Sequence, residues 1–167
     1  LGIRADLAMD KDQMAVDAYN AYIQRPFAGP RHRQARAAQG DITDPTNWVL
    51  LKDVDILTAG FSCQPWSRAG MQRGMDDHRG SFLTAILDAM TIFHTPAMIL
   101  EKAAAFLNDP RGMGILHTWA QAASYDLQVH KVHAKDWIPQ RRERAIIVAV
   151  RRDMMTAQRR VVMQKVL

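Results

Sequence analysis

The chain has 167 residues, 48% hydrophobic and 23% charged, a balance that suits one globular core and excludes a low-complexity protein. No stretch approaches the roughly 20 apolar residues of a membrane span, and Leu1 to Asp6 carry no signal-peptide pattern, so the sequence reads as cytoplasmic with no membrane partner. The net charge of +5 is lopsided: residues 1–100 hold 10 Lys and Arg against 11 Asp and Glu, and residues 101–167 hold 12 against 6. The carboxyl-terminal part therefore has the cation excess that phosphate-binding surfaces need, although a solvated face carries one too.

In chain order, Ile3 to Met9 reads as a short strand. Asp10-Lys11-Asp12-Gln13 opens a helix with Met14, Ala18, Ala21 and Tyr22 at helical spacing, Asp10 and Gln13 forming a capping box. Pro26, Gly29 and Pro30 end that pattern, and Arg31 to Arg36 makes a basic connection to the turn Gly40-Asp41-Ile42-Thr43-Asp44. Val54 to Thr58 is the next strand. The Gly-, Ser-, Arg- and Asp-rich stretch after it is longer than a structural turn requires, as functional loops are. Arg79-Gly80-Ser81 begins a helix with Phe82, Ile86, Met90 and Phe93 along one stripe, and Ala97 to Leu100 is a buried strand with Glu101 at its carboxyl end. Asp109 and Pro110 supply a cap and a first-turn proline for a helix with Leu116, Trp119, Ala120 and Ala123 on one face. Asp126 to His133 alternates like a half-buried strand, and Ala145 to Val150 is a fully apolar one. Strands alternating with helices predict a doubly wound α/β sheet in a single domain.

Cys63, the only cysteine, lies in the run Gly60-Phe61-Ser62-Cys63-Gln64-Pro65-Trp66-Ser67, just past a strand. Read alone, such a thiol fits a small buried hydrophobe as well as a nucleophile presented by a strand-to-loop turn. Glu101 fits a solvated strand end as well as a general acid. Arg142 and Arg144, two apart before an apolar strand, fit a solvated end or one convergent site. Both Cys63 and Glu101 fall at carboxyl ends of strands, where open α/β sheets bind ligands.

Taken together, Gly-Phe-x-Cys-Gln-Pro at Gly60 to Pro65, Asp77-His78-Arg79-Gly80, Ile99-Leu100-Glu101 and Gln140-Arg141-Arg142-Glu143-Arg144 resemble, in order and spacing, the cytosine-5 methyltransferase family. The resemblance runs from about residue 5 to residue 153. It implies a Rossmann-like methyltransferase sheet, S-adenosylmethionine as cofactor, and double-stranded DNA as partner, with RNA as the lesser alternative. No metal site is expected. The Cys63 thiolate would add to carbon 6 of a flipped-out cytosine, leaving carbon 5 nucleophilic enough to take a methyl group. Glu101 would meet ring nitrogen 3, Arg144 the cytosine carbonyl, and Arg142 would support the catalytic loop. Gln64, Pro65, Ser67 and Gln140 are implied as substrate-binding residues. Asp10 would bond the cofactor ribose, besides its capping role, and Asp41 the adenine amino group.

The resemblance also has gaps. Its Gly-rich turn and first strand have no counterpart before Ile3, and its target-recognition domain none after the Gln-x-Arg-x-Arg strand. Residues 1–167 are therefore expected to be a partial catalytic domain, incomplete at the N-terminus, and to bind S-adenosylmethionine weakly or not at all alone. Ser62 stands where proline is usual and Lys102-Ala103 where Asn-Val is usual. Lys102 either lies near Glu101 or points away to a DNA phosphate, and Lys102→Asn is expected to raise turnover. A transfer RNA cytosine methyltransferase of the same family and a non-catalytic nucleic-acid-binding remnant are the rival readings.

Overall fold

A computed structural model of the chain describes residues 7–23, 36–60 and 81–154. The chain divides into two units, Leu1–Leu50 and Leu51–Leu167. In the first unit, β1 (Leu7–Asp10) and β2 (Arg36–Gln39) pair in parallel, with Leu7 opposite Arg36 and Asp10 opposite Gln39. Helix α1 (Gln13–Ile23) connects them on its way out of β1, burying Val16 and Ile23. Met14 and Tyr22, expected on its inner stripe, are exposed. Asn20 instead clips the helix to β2, donating through Nδ2 to the Ala37 carbonyl at 3.0 Å and accepting from the Ala37 amide at 2.9 Å. β2 was not expected: the basic connection read at Arg31 to Arg36 ends on its first residue, and with only Ala37 and Ala38 as apolar residues the strand is too short to show a period.

The second unit holds a four-stranded sheet in the order β3, β4, β6, β5. β3 (Ile56–Ala59) and β4 (Ala97–Ala103) are parallel and linked through α2 (Ser81–Phe93). β6 (Glu143–Arg151) inserts between β4 and β5 (Tyr125–His133), antiparallel to both. The sheet is thus an α/β sheet of mixed direction. Its reversal comes at the β5-to-β6 connection, which contains no helix long enough to carry the chain back across the sheet.

One face of this sheet is the core. Met98 and Leu100 of β4, Ala145, Ile147 and Ala149 of β6, and Tyr125 of β5 alternate inward and are buried. Helix α2 buries Leu83, Ile86 and Met90, and α3 (Pro110–Ala122) buries Leu116 and Ala120 while packing on β5. Phe82 and Phe93, expected on the α2 stripe, are only partly covered. The apolar strand expected at Ala145 to Val150 is the middle of β6, a central strand, and its alternate residues Ile146, Val148 and Val150 lie partly covered on the other face. β5 is an edge strand, and apart from Tyr125 none of its residues is fully buried, so the expected alternation is lost.

The helix ends follow local chemistry. Asp109 caps α3, its Oδ1 accepting from the amides of Arg111 at 3.1 Å and Gly112 at 3.3 Å, with Pro110 in the first turn as expected. Asp109→Ala is expected to lower stability by about 1 kcal/mol, measured by urea unfolding, and an unchanged midpoint would show the cap to be dispensable. At the other end of α2, the Thr95 amide donates to the Met90 carbonyl and that of His94 to Thr91, closing a Schellman turn with His94 at φ 49°. No helix among the described residues is long and apolar enough to cross a membrane.

Candidate active site

The four-stranded sheet brings together Glu101 and Arg144. Glu101 was expected at the last position of its strand, but β4 continues to Ala103, which pairs with Arg144 of β6. Residues 101, 103, 144 and 146 share one face, so Glu101 and Arg144 form a diagonal cross-strand pair. Arg144 Nε lies 2.5 Å from Glu101 Oε1. That nitrogen is shielded from solvent, yet it makes no hydrogen bond, because the carboxylate sits off its N–H direction. The contact is a charge pair rather than the two-pronged fork that arginine can form with a carboxylate. Arg144 Nη1 donates to the Glu143 carbonyl at 2.7 Å, which fixes the guanidinium along the strand end. The Glu101 side chain remains 41% exposed, so the pair faces a space open to a ligand.

Because β3 and β4 are parallel, with Ala59 opposite Leu100, the residue that leaves β3 comes alongside Glu101. A Cβ added at Gly60 would stand 3.7 Å from Glu101 Oε2 and 3.9 Å from its carbonyl oxygen. The absence of a side chain keeps this side of the carboxylate clear. Cys63, Gln64, Pro65 and Ser67 lie outside the described residues. Arg142 precedes β6 and is exposed, and among the described residues only Arg144 pairs with Glu101; the loop that Arg142 was expected to support lies outside the described residues. Gln140 is exposed in the loop before β6, its amide donating to the Ile138 carbonyl.

Lys102 points away from Glu101, as one of the two expectations had it, but it ends in the core and not at a surface. Strand alternation turns it away from Glu101 and onto the core face beside Leu100, opposite Ala145, where it is 0% exposed. A side chain so enclosed cannot meet a DNA phosphate, and the charge next to Glu101 is Arg144. Lys102→Asn would shorten a fully buried side chain, so it is expected to cost stability rather than raise turnover. Lys102→Ala should lower unfolding stability by about 3 kcal/mol, the order seen when a long buried chain is removed. Urea titration checks this, and a change within about 0.5 kcal/mol would show that the site closes over the gap.

Sequence reading missed Gln128 and His130. Both lie on the Glu101 face of β5, His130 sharing a cross-strand row with Ile146 and Glu101. Gln128 Oε1 and His130 Nε2 are buried without hydrogen-bond partners among the described residues, which makes this face polar beyond its paired charges. The only signal for them was two polar residues two apart in a strand.

In the first unit, Asp10 and Asp41 stand at the carboxyl ends of neighbouring parallel strands. The Gly40 amide donates to the Asp10 carbonyl at 3.0 Å, extending the ladder so that Asp41 follows directly. Asp10 Oδ1 accepts from the Asp12 amide at 2.9 Å, and Asp12 Oδ1 accepts from Met14 at 2.8 Å. Asp12 is therefore the helix cap. Gln13 bonds Asp17 at 2.7 Å, and the expected Asp10–Gln13 box is not formed. Asp41 Oδ1 accepts from both the Thr43 amide, 2.9 Å, and the Thr43 hydroxyl, 2.8 Å. These two bonds, with a lesser contribution from the Lys11 charge, hold its carboxyl below the ordinary value of 3.8. Each aspartate thus uses Oδ1 to fix its turn, and Oδ2 makes no hydrogen bond among the described residues. Paired carboxylate acceptors at adjacent strand ends fit a group that offers hydroxyl and amino donors, as the ribose and adenine of S-adenosylmethionine do.

The family model for C-5 cytosine-specific DNA methylase matches residues 2–166. The Type II methyltransferase M.NlaX of Neisseria lactamica is 30% identical over 149 residues, covering 87% of this chain and 44% of that protein. The Type II methyltransferase M.HhaI of Haemophilus parahaemolyticus is 30% identical over 119 residues, covering 70% and 36%. The chain therefore spans less than half the length of these relatives. Among solved structures, the Dnmt2 methyltransferase of S. pombe superposes with a TM-score of 0.64 at 18% identity, over 88% of this chain and 42% of that one. A putative DNA modification methyltransferase from an E. coli prophage gives 0.64 at 18% identity, over 94% and 43%. Both show that the fold is shared.

Proposed function

Because the chain belongs to the C-5 cytosine-specific DNA methylase family, we propose that it carries the catalytic core of an enzyme that methylates carbon 5 of a flipped-out cytosine in double-stranded DNA. The observation that carries this reading is the Glu101–Arg144 pair beside the end of β3. Cys63 follows Gly60 by three residues, so covalent geometry alone keeps its Cα within about 11 Å of that strand end. S-adenosylmethionine, when bound, supplies a methyl group on a sulfonium.

The chain's own residues do the rest. The Cys63 thiolate adds to carbon 6, and charge accumulates on the ring as the bond forms. Glu101 Oε2, which faces Gly60 and makes no hydrogen bond among the described residues, would meet ring nitrogen 3, and the remaining donors of Arg144 the adjacent carbonyl. Arg142 supports the loop that bears Cys63, and Gln140 contributes to substrate binding. Gln64, Pro65 and Ser67 line the base. Loss of the carbon 5 proton and expulsion of the thiolate restore the aromatic ring. Residues 1–167 form part of the catalytic domain on this reading, and recognition of the flanking sequence belongs to other segments.

Labelled S-adenosylmethionine incubated with the full-length protein and duplex DNA should give labelled 5-methylcytosine after digestion. Label found only in a matched RNA would move the substrate to transfer RNA; no label in either would leave a binding remnant. Asp10→Asn and Asp41→Asn are each expected to weaken cofactor binding about tenfold by calorimetry, the order of one hydrogen bond to a charged acceptor. Unchanged affinity in both would remove them from the cofactor site.

A further inference from the structure

The connection between β5 and β6, residues 134–142, presents the most exposed aromatic side chain among the described residues. Trp137 is 73% exposed and Ile138 52%. Large apolar groups side by side in water mark a contact surface more often than an accident of folding. The segment that bears them is braced. Its ends are tied by the Ala134 amide donating to the Arg142 carbonyl at 2.8 Å, and the Ala134 carbonyl accepts from the amides of both Trp137, 3.0 Å, and Ile138, 2.9 Å. The Lys135 amide donates to His133 Nδ1 at 3.0 Å. The tip is therefore held outward by its own backbone, so little ordering remains to be done when a partner arrives.

Charge identifies the partner. From residue 131 to residue 144 the chain has five Lys and Arg (131, 135, 141, 142, 144) against two acids, Asp136 and Glu143. Lys131 is taken by Glu143 at 3.0 Å and Arg144 by Glu101. Lys135, Arg141 and Arg142 make no ion pair among the described residues. An apolar tip flanked by cations fits a polyanion that also offers flat apolar surface. The loop rises from the sheet end that carries Glu101, because β5 runs in the same direction as β4. We propose that the 134–142 loop is a DNA contact, with Trp137 and Ile138 packing against sugar or base surface beside the target and Lys135 and Arg141 holding flanking phosphates. This rests on the methyltransferase reading for its choice of partner, and it adds a positioning surface that the cytosine site does not include.

The test is equilibrium binding of a labelled duplex to the full-length protein across a salt series. Trp137→Ala should weaken binding about tenfold at every salt concentration without altering the salt slope, because stacking and apolar contact release no counterions. Trp137→Phe should recover most of that loss. Lys135→Gln combined with Arg141→Gln should reduce the slope by about two. Equal affinity of Trp137→Ala and the parent overturns the proposal. An equal loss toward inorganic polyphosphate, which has neither sugars nor bases, also overturns it, since the effect would then be electrostatic or structural. Covalent trapping on 5-fluorocytosine duplex at saturating DNA separates the two readings. Trapping with no Trp137 effect sinks the loop contact alone, and a Trp137 effect with no trapping sinks the methyltransferase reading alone.

Discussion

Replacing Cys63 with serine is expected to abolish methyl transfer, by about 10⁴-fold or more, and to leave DNA binding intact. The size follows from the electronic demand of the substrate. Carbon 5 of cytosine is too electron-poor to attack a methyl donor until a nucleophile has added to carbon 6, and a serine hydroxyl is almost entirely protonated at neutral pH while a thiol already yields some thiolate. Losing a nucleophile that acts as part of a unit costs orders of magnitude, as removal of one member of a catalytic triad does. DNA with 5-fluorocytosine makes the test direct, because fluorine cannot depart as a cation and the sulfur–carbon bond persists. With S-adenosylmethionine present, a denaturing gel of the full-length protein should show a shifted band that vanishes in Cys63→Ser. A band of equal strength in the variant would remove Cys63 as the nucleophile.

Arg144→Lys is expected to lower the rate of adduct formation by about 10²- to 10³-fold, the cost of losing one oriented donor at a developing charge. Lysine keeps the charge, but it lacks the planar set of donors that lets one guanidinium hold Glu101 Oε1 and the Glu143 carbonyl and still reach a third oxygen. Glu101→Gln should lose a similar factor. The two should not add: if the carboxylate and guanidinium act as one unit, the double variant loses little more than either single one. Single-turnover trapping at saturating duplex measures this directly. Fully multiplicative losses would show that Glu101 and Arg144 act independently, and their pairing would then be a feature of the strand end only.

The pair also changes the account of Lys102. Sequence adjacency made Lys102 the obvious electrostatic neighbour of Glu101, but residues adjacent in a strand face opposite ways, so proximity in sequence becomes separation by the sheet. The residue 43 positions later, Arg144, becomes the contact because an antiparallel strand brings it back in diagonal register.

Read without a structure, the sequence determined what its local patterns encode. Asp109-Pro110 capped a helix because a side-chain carboxylate satisfies first-turn amides whatever lies beyond. Ala145 to Val150 became a strand whose odd-numbered residues enter the core while the even-numbered ones are partly covered on the opposite face, because alternate side chains point to opposite sides of a sheet. The motifs around Cys63, Glu101 and Gln140 to Arg144 pointed to the family because residue types, order and spacing matched together. Tertiary structure alone decided the rest, and the reason is register. Which acid meets which arginine, that Arg144 and not Arg142 reaches Glu101, that Lys102 is enclosed while Trp137 is exposed, and that Gln128 and His130 join the Glu101 face all depend on strand order and offset. A shift of one residue in β6 would turn Arg144 to the other face, and no local pattern records that offset.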